Sequence, residues 1–250
     1  MPQQPRHTEC AGNNPGEIGM DAAYHDRVVS TIRNLKIAAA RSGNWFAIFD
    51  RDECMTSLDP VTWQDVDDPD SIRLLAEWRL AAQNSFPAIF PVTLDGTRRW
   101  LIKQVLELDD RMLFWVKSPQ GQKIGHAGIY RIDYSERSLE LDNVVRGVPR
   151  VMRGAMVSSV QAILSWAFTT LQMEDVYLRV FSDNMRAIQL YEHCRFRETM
   201  RMPLRRVQEG DVVRWLEVDG DYRKPVERYF VTMHLSKTAW QGESADELAA

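Results

Sequence analysis

The chain has 250 residues, of which 44% are hydrophobic and 26% are charged, and its formal net charge at pH 7 is −4. This composition is typical of a globular protein and supplies enough apolar material for a sizeable core. The slight acidic excess argues against a protein that coats nucleic acid or anionic membranes, so neither is expected as a partner. No stretch reaches the roughly 18 consecutive apolar residues of a membrane-spanning helix.

Two further features bear on the compartment. The first residues lack the apolar stretch of a secretory signal. The three cysteines, Cys10, Cys54 and Cys194, are odd in number and far apart, which favours a reducing environment over a disulfide framework. None has the spacing of a structural zinc site, so no metal is expected. Together these features predict a cytoplasmic location.

The first part of the chain is predicted to precede the main domain. Residues 1–20 are polar and rich in Pro, Gly and Asn, which indicates a flexible tail. A helix is predicted from Asp21 to Ser42–Gly43, because apolar residues recur there at helical spacing. A short apolar strand follows, and the polar segment 50–60 reads as a boundary. The predicted helix–strand extension therefore covers 21–60, with a docking or dimerisation role, and a homodimer is a possible assembly.

Residues 61–240 are predicted to form one domain, followed by a flexible tail over 241–250. Antiparallel strands come first, then strands and helices alternate, and β-rich sequence follows, which indicates a mixed α/β sheet. The predicted strands cover 61–66, 112–116, 123–132, 138–145 and 176–181, with further strands over 197–235, and the predicted helices cover 71–83, 97–108, 154–171 and 185–193.

A strand, a basic loop and a strongly amphipathic helix follow one another between Leu139 and Leu171. The small residues Gly154 and Ala155 open this helix, where free backbone N–H groups can hold an anion. Three arginines cluster at the same positive helix end, where a pyrophosphate would be held best: Arg146, Arg150 and Arg153. Taken singly, a glycine before a helix is usually a cap, and arginines on a loop are usually solvated surface.

The next helix opens at Asn184 and carries Tyr191. With these features, the segment from about Val61 to Leu235 resembles the GNAT superfamily of acyl-CoA-dependent N-acetyltransferases, in particular the amino-sugar and ribosomal-protein N-acetyltransferase branch. The family's cofactor loop, Q/R-x-x-G-x-A/M, is similar to the segment at Gly154 and Met156, although Val151 stands at its first position. Its second motif, L-x-V-x-x-x-N-x-x-A-x-x-L-Y-x-x-x-G-F, resembles the chain at Leu178, Val180, Asn184, Ala187, Leu190, Tyr191 and Phe196, with Arg195 in place of the glycine.

The resemblance implies a mixed, mostly antiparallel central sheet, flanked by helices and splayed where acetyl-CoA binds as co-substrate. The splay would lie between strands Leu139–Val145 and Val176–Phe181. Backbone N–H groups near the end of the first strand would polarise the thioester carbonyl. The resemblance assigns the following residues to the cofactor: Val144, Val145, Arg146, Arg150, Arg153, Gly154, Ala155, Met156, Asn184 and Ala187.

The resemblance also implies catalytic residues. Tyr191 would be the general acid for the departing thiolate, since a phenol is protonated at neutral pH. Glu140 occupies the place where the family often carries a base, and Asp142 shares its strand face, because strand side chains alternate with period two. His126 on the neighbouring strand is a third candidate. A structural ion pair is the ordinary alternative for each carboxylate, and sheet packing is the alternative for Tyr191.

The expected acceptor is a primary amine, with a nucleotide-linked amino sugar preferred. Trp78 and Arg79 resemble a Trp-Arg pair in the first helix of sugar-acetylating members and are assigned to the substrate. A protein N-terminus or another small amine is the alternative acceptor. A non-catalytic CoA-binding relative is the alternative outside the enzymes.

Overall fold

The computed structural model of the chain describes residues 15–37, 46–50, 53–149, 151–218, 222–223 and 225–242. Within them, ten strands form one sheet, in the order β1-β2-β4-β5-β6-β7-β10-β8-β9-β3. The strands are β1 (Phe46–Asp50), β2 (Glu53–Pro60), β3 (Ala88–Ile89), β4 (Met112–Lys117), β5 (Lys123–Asp133), β6 (Ser138–Arg146), β7 (Asp175–Phe181), β8 (Arg197–Glu209), β9 (Val212–Glu217) and β10 (Arg228–Ser236). The helices are α1 (Pro15–Ile37), α2 (Trp63–Asp67), α3 (Pro69–Ala81), α4 (Leu94–Leu101), α5 (Ala155–Thr169), α6 (Met185–His193) and α7 (Lys237–Gly242).

The sheet is mostly antiparallel, and the exception is the pair β6–β7. These strands run parallel and pair only over Ser138–Glu140 and Asp175–Tyr177. A parallel pair needs a crossover connection, and here α5 supplies it. The mixed, mostly antiparallel sheet with flanking helices is the fold that the sequence predicts.

Each face of the sheet is covered by its own core, and β4 shows how one strand serves both. Met112, Phe114 and Val116 pack in the core that contains α1 and α5. Leu113 and Trp115 pack in the core formed with α2, α3 and α4. Because side chains alternate along a strand, β4 is apolar on both sides, as a central strand covered by helices must be.

Two element predictions near residue 60 are wrong. The polar segment 50–60 was expected as a boundary, but Glu53–Pro60 forms β2, which pairs with β1 and β4. The strand predicted over 61–66 is helix α2 in the structure. Its start is fixed by the Asp65 carboxylate, which accepts hydrogen bonds from the backbone N–H of Thr62 and from Trp115 Nε1, both at 2.9 Å. A capping interaction of this kind favours a helix over a strand.

The other predicted elements are present with small shifts. The helix expected over 97–108 begins at Leu94 and continues as a π-helical turn over Ile102–Leu106. Helix α1 begins before Asp21, and its predicted end at Ser42–Gly43 lies outside the described residues. None of the helices in the described part of the chain combines the length and apolar character needed to cross a membrane.

Helix α1 packs into the same core as α5. Tyr24 and Ile32 are buried there, and the Tyr24 hydroxyl lies 3.6 Å from Met173 Sδ. Arg33 forms a two-bonded ion pair with Asp109, with N–O distances of 2.9 and 2.5 Å. The predicted extension therefore contributes core residues to the main body of the described structure.

Lys36 at the end of α1 is a buried cation. Its side chain is 2% exposed, and Nζ donates hydrogen bonds to the backbone carbonyls of Val105, at 2.7 Å, and Leu108. These carbonyls belong to the last turn after α4, where the C=O groups have no N–H partners within the helix. Burial lowers the pKa of Lys36 from 10.5 to about 8.

This lowered pKa predicts a specific pH dependence of stability. Above pH 8 the folded chain releases the Lys36 proton while the unfolded chain keeps it until about pH 10.5, so stability attributable to Lys36 should rise over this interval. The full rise corresponds to roughly 3 kcal/mol. Denaturant unfolding of the wild type and of Lys36→Met at pH 7, 8.5 and 9.5 measures it. A free-energy difference between the two that does not change with pH would contradict the prediction.

Candidate active site

The site lies where β6 and β7 separate. Their last paired residues are Glu140 and Tyr177, and beyond this point no ladder hydrogen bonds are described between the two strands. The gap is bordered by residues 142–145 of β6 and 178–181 of β7. A parted pair leaves backbone N–H and C=O groups available to a ligand that lies between the strands. The splay expected from the resemblance is confirmed.

A β-bulge interrupts β6 at the edge of this gap. His126 of β5 pairs with Val145 and Gly128 pairs with Asp142, so two residues of β6 stand opposite one residue of β5. The first of the two, Asn143, has a φ of +52°. This left-handed conformation is uncommon outside glycine, and asparagine tolerates it better than most residues. The bulge therefore changes the course of β6 just before Val144 and Val145, the residues expected to meet a thioester carbonyl.

His126 holds the bulge. Its Nδ1 donates a hydrogen bond of 2.7 Å to the carbonyl oxygen of Asn143. The side chain is 3% exposed, and burial lowers the pKa of His126 to about 4, so the ring is neutral at pH 7. Since a carbonyl can only accept, the neutral ring carries its proton on Nδ1. His126 was a candidate base, but here its Nδ1 is engaged with the backbone.

The loop that follows β6 leads into α5. Gly154 is the N-cap residue of α5 with a φ of +88°, and a Cβ at this position would meet no atom within 4 Å. Arg146 is exposed and ties the loop together, because its guanidinium donates hydrogen bonds to the carbonyls of Val148, at 3.3 Å, and Val151, at 2.6 Å. Arg153 is exposed beside the helix start. Arg150 lies outside the described residues.

Small residues let the first turn of α5 approach the sheet. A Cβ at Gly125 of β5 would lie 2.5 Å from the carbonyl oxygen of Val145 and 3.2 Å from Met156 Sδ. Met156 and Ala155 are buried against the sheet, so the start of α5 sits close to the end of β6. The described residues assigned to the cofactor from β6 to α5 are therefore neighbours in space.

Helix α6 closes the other side of the gap. The Asn184 side chain accepts a hydrogen bond from the backbone N–H of Ala187 at 3.4 Å, which caps the helix. Asn184 Nδ2 also lies 3.5 Å from the Ser85 hydroxyl in the loop after α3. The roles of Asn184 and Ala187 at the cofactor stay predictions.

Tyr191 is buried at 8% exposure, with its ring centroid 6.1 Å from that of Phe196. Burial raises the pKa of Tyr191 well above its usual value of 10, and the charges of Asp142 and Cys194 raise it further. Burial therefore favours the protonated form of the phenol.

The two carboxylates of β6 have different surroundings. Glu140 forms ion pairs with Arg131, at 3.0 Å, and with Arg179, at 3.6 Å. Asp142 is half-buried, and its described hydrogen-bond partner is the Asn143 amide, whose Nδ2 donates at 2.8 Å. Burial raises the pKa of Asp142. A carboxyl with a raised pKa beside the gap is better suited to accept a proton near neutral pH than one held by two arginines.

Trp78 does not present a free face to a ligand. The indole is 5% exposed and packs at 5.9 Å from the Trp115 ring and 6.0 Å from the His126 ring. It also lies against Gly147, where a Cβ would come within 2.0 Å of the indole. The sequence signal for a substrate-binding aromatic is therefore explained by packing, which the pattern of residues alone does not separate from binding.

Arg79, the other residue assigned to the substrate, holds the loop between α3 and α4. Its Nη2 donates a hydrogen bond of 2.6 Å to the Ala88 carbonyl. The guanidinium stacks on the rings of Phe86, at 3.9 Å, and Phe90, at 4.9 Å. Burial lowers the pKa of Arg79 to about 10, so the side chain stays charged at pH 7.

The same loop is joined to the far end of the sheet, a feature that the sequence analysis missed. Ala88 and Ile89 form β3 and pair with Arg214 and Val213 of β9. The backbone N–H of Trp215 donates to the Pro87 carbonyl at 2.8 Å. A two-residue strand gives no periodic signal in the sequence. Through this pairing, the sheet connects back to the loop between α3 and α4.

Comparison with known proteins places this architecture in a family. The Acetyltransferase (GNAT) domain family matches residues 56–197, more than half of the chain. The chain therefore belongs to the GNAT acetyltransferases, a family of acyltransferases that use acetyl-CoA. The match begins within β2 and ends at the start of β8, so it contains both strands of the gap and helices α5 and α6.

Individual relatives are more distant. A spermidine N(1)-acetyltransferase of Vibrio cholerae is 28% identical over 118 residues, which are 47% of this chain and 61% of that protein. The chain thus aligns with about three fifths of the length of this relative. Mutant forms of the V. cholerae spermidine/spermine N-acetyltransferase SpeG have a TM-score of 0.56 at 17% identity, covering 77% of this chain and 99% of theirs. The SpeG complex with CoA and spermine has a TM-score of 0.53 at 18% identity, with coverages of 76% and 99%. These structures share the fold.

The open position of Gly154 generates a prediction with an internal control. Gly154 and Gly121 both have positive φ, +88° and +80°, and a Cβ at either would meet no atom within 4 Å. Alanine at each should therefore destabilise the fold by a similar amount, about 1 kcal/mol, through backbone strain alone. Only Gly154→Ala should also weaken CoA binding, because the N-cap geometry of α5 sets the directions of its first N–H groups. Calorimetric titration with CoA separates the two, and equal CoA affinities in both variants would contradict the role of Gly154.

Proposed function

We propose that the chain is an acetyl-CoA-dependent N-acetyltransferase that acts on a primary amine by direct attack on the thioester. The observation that carries the proposal is the meeting of four features at one gap. These are the end of the β6–β7 pairing, the bulge at Asn143, the glycine-opened start of α5, and the buried phenol of Tyr191 on α6, the helix that follows β7. Family membership gives the acyl-CoA chemistry, and these features support the proposal that it takes place at this gap.

The residues fit a CoA ester. The first N–H groups of α5 are without intrahelical partners and lie at the positive end of the helix dipole, which suits a diphosphate. The absence of a side chain at Gly154 leaves room for phosphate oxygens to approach. The pantetheine arm is proposed to pair with the unpaired edge of β6, and the N–H groups near Val144 and Val145 to stabilise the oxyanion of the tetrahedral intermediate.

The reaction balances with two protein groups. The amine nitrogen bonds to the acetyl carbon and the C–S bond breaks. Asp142 receives the proton that the amine loses, directly or through one water molecule, and Tyr191 gives a proton to the departing thiolate. Tyr191 is restored when Asp142 and the phenol exchange protons with solvent between turnovers. The raised pKa of Asp142 makes it a better base than an ordinary aspartate, and the raised pKa of Tyr191 keeps the acid loaded.

For the acceptor we propose a small, slender amine, with polyamines as the first candidates. V. cholerae relatives act on spermidine and spermine by name. The nucleotide-linked amino sugar was expected from the sequence on the resemblance of the Trp78–Arg79 helix and of residues 141–147 to sugar-acetylating members, and Trp78 and Arg79 both contact other parts of the protein.

Two further expectations belong to this proposal. A second copy of the chain is a candidate partner, expected from the sequence as a homodimer, and a solved relative from V. cholerae is dodecameric. A cytoplasmic location, favoured by the cysteine pattern, stays a prediction.

An acceptor panel tests the function. Thiol release from acetyl-CoA should be observed with spermidine or spermine, and more weakly or not at all with UDP- and dTDP-linked amino sugars and short peptides. Tyr191→Phe should lower turnover by about 100-fold or more with CoA affinity unchanged, since it removes only the proton donor. Activity with only the amino sugars or only the peptides would contradict the polyamine proposal and assign the acceptor to that class instead. Clear CoA binding without thiol release from any amine would favour the non-catalytic alternative.

The contrast between the two carboxylates gives a second test. Asp142→Asn should lower kcat by about 100-fold and remove the acidic limb of the pH–rate profile, because Asp142 must lose its proton to act as a base. Glu140→Gln, two residues along the same strand face, should change kcat much less and leave the profile in place. The opposite ranking would assign the base to Glu140.

A further inference from the structure

His126 and Trp78 form a contact chain that ends at the bulge. The bulge leaves the Asn143 carbonyl without its regular place in the ladder, and His126 Nδ1 satisfies it at 2.7 Å. A buried carbonyl left without a hydrogen bond is unfavourable, so loss of this bond would disfavour the bulged conformation. The hydrogen bond therefore favours the left-handed conformation of Asn143 over regular extended pairing.

Trp78 holds the imidazole and the end of β6 together. Its indole lies beside His126, with ring centroids 6.0 Å apart and ring planes inclined by 28°. The same indole lies so close to Gly147 that no Cβ fits there. Gly147 is in turn tied to β5, because its N–H donates to the Ile124 carbonyl at 2.9 Å. Trp78 thus contacts Gly147, after Val145, directly, and reaches Asn143, before Val144, through His126.

We propose that His126 and Trp78 are positioning residues for acyl transfer, which hold the bulged segment 143–147 so that its backbone N–H groups meet the thioester carbonyl. This inference rests on the proposed function, but the two can fail separately. It gives both residues a role different from that expected of them: His126 is not the base, and Trp78 does not bind the acceptor. The neutral state of His126 fits the proposal, since the ring needs only its Nδ1–H donor.

The test uses two substitutions at one position. His126→Asn keeps an N–H donor near the place of Nδ1, whereas His126→Leu keeps apolar bulk and removes the donor. We expect His126→Leu to lower kcat by 10- to 100-fold, the range for a small misplacement of catalytic groups, with the KM for the amine and the CoA affinity within twofold. His126→Asn should recover most of this loss with an unchanged pH–rate profile. If His126 were the base, both variants would lose the acidic limb and Asn would give no rescue.

A readout independent of activity completes the design. In the free protein, His126→Leu should speed amide hydrogen exchange in 143–147 without changing exchange in β10, and His126→Asn should leave both near wild type. Trp78→Phe should speed exchange in the same segment. Unchanged exchange in His126→Leu would overturn the inference even in an active enzyme. If the wild type transfers no acetyl group, that result contradicts the proposed function. The exchange pattern then tests separately whether His126 holds segment 143–147 in its bulged conformation.

Discussion

The early end of the β6–β7 ladder is the constraint on which the site depends. A sheet gains stability from continuous pairing, so a gap between two central strands must be maintained by other contacts. On β6 the bulge at Asn143 removes the regular register, and on the far side helix α6 packs Tyr191 into the core. The bulge disfavours regular pairing beyond Glu140 and Tyr177, and a ligand with its own amide groups can satisfy the backbone groups left unpaired there.

Two carboxylates that look equivalent in the sequence, Glu140 and Asp142, have different surroundings in the structure. Glu140 and Asp142 stand two residues apart on one strand face, yet Glu140 is held by arginines from β5 and β7 whereas Asp142 lies deeper with an amide neighbour. Charge pairing favours the ionised form of a carboxyl and burial favours the protonated form. The proposed assignment of Asp142, and not Glu140, as the proton acceptor therefore rests on their different neighbours.

The sequence predicts the parts of the fold that have long periodic or motif signals. Helices α5 and α6, with Gly154, Asn184 and Tyr191 at their expected places, are such parts. Helix α2 was mistaken for a strand because five residues carry too little periodicity, although the spacing of Thr62 and Asp65 is that of a capping box and was a local signal for a helix start. β3 was missed for the same reason of length. The hydrogen bond from His126 to the Asn143 carbonyl could not be predicted, because the sequence does not show which carbonyl lies beside a histidine in a strand.

Trp78 resembles a ligand-binding residue in sequence, but in the structure it packs as a core residue because its indole fills the space that the missing side chain of Gly147 leaves. An indole needs a flat, open neighbour, and the backbone of Gly147 provides one at the point where β6 turns into the loop before α5. The residue that follows on α3, Arg79, donates a hydrogen bond to the Ala88 carbonyl in the loop between α3 and α4. Two consecutive residues of one helix thus contact the end of β6 and the segment that pairs with β9. A displacement of α3 would disturb both, so the rigidity of α3, fixed at its start by the Asp68 cap and by Ser71 contacting Asp65, is part of the site as much as the residues at the gap.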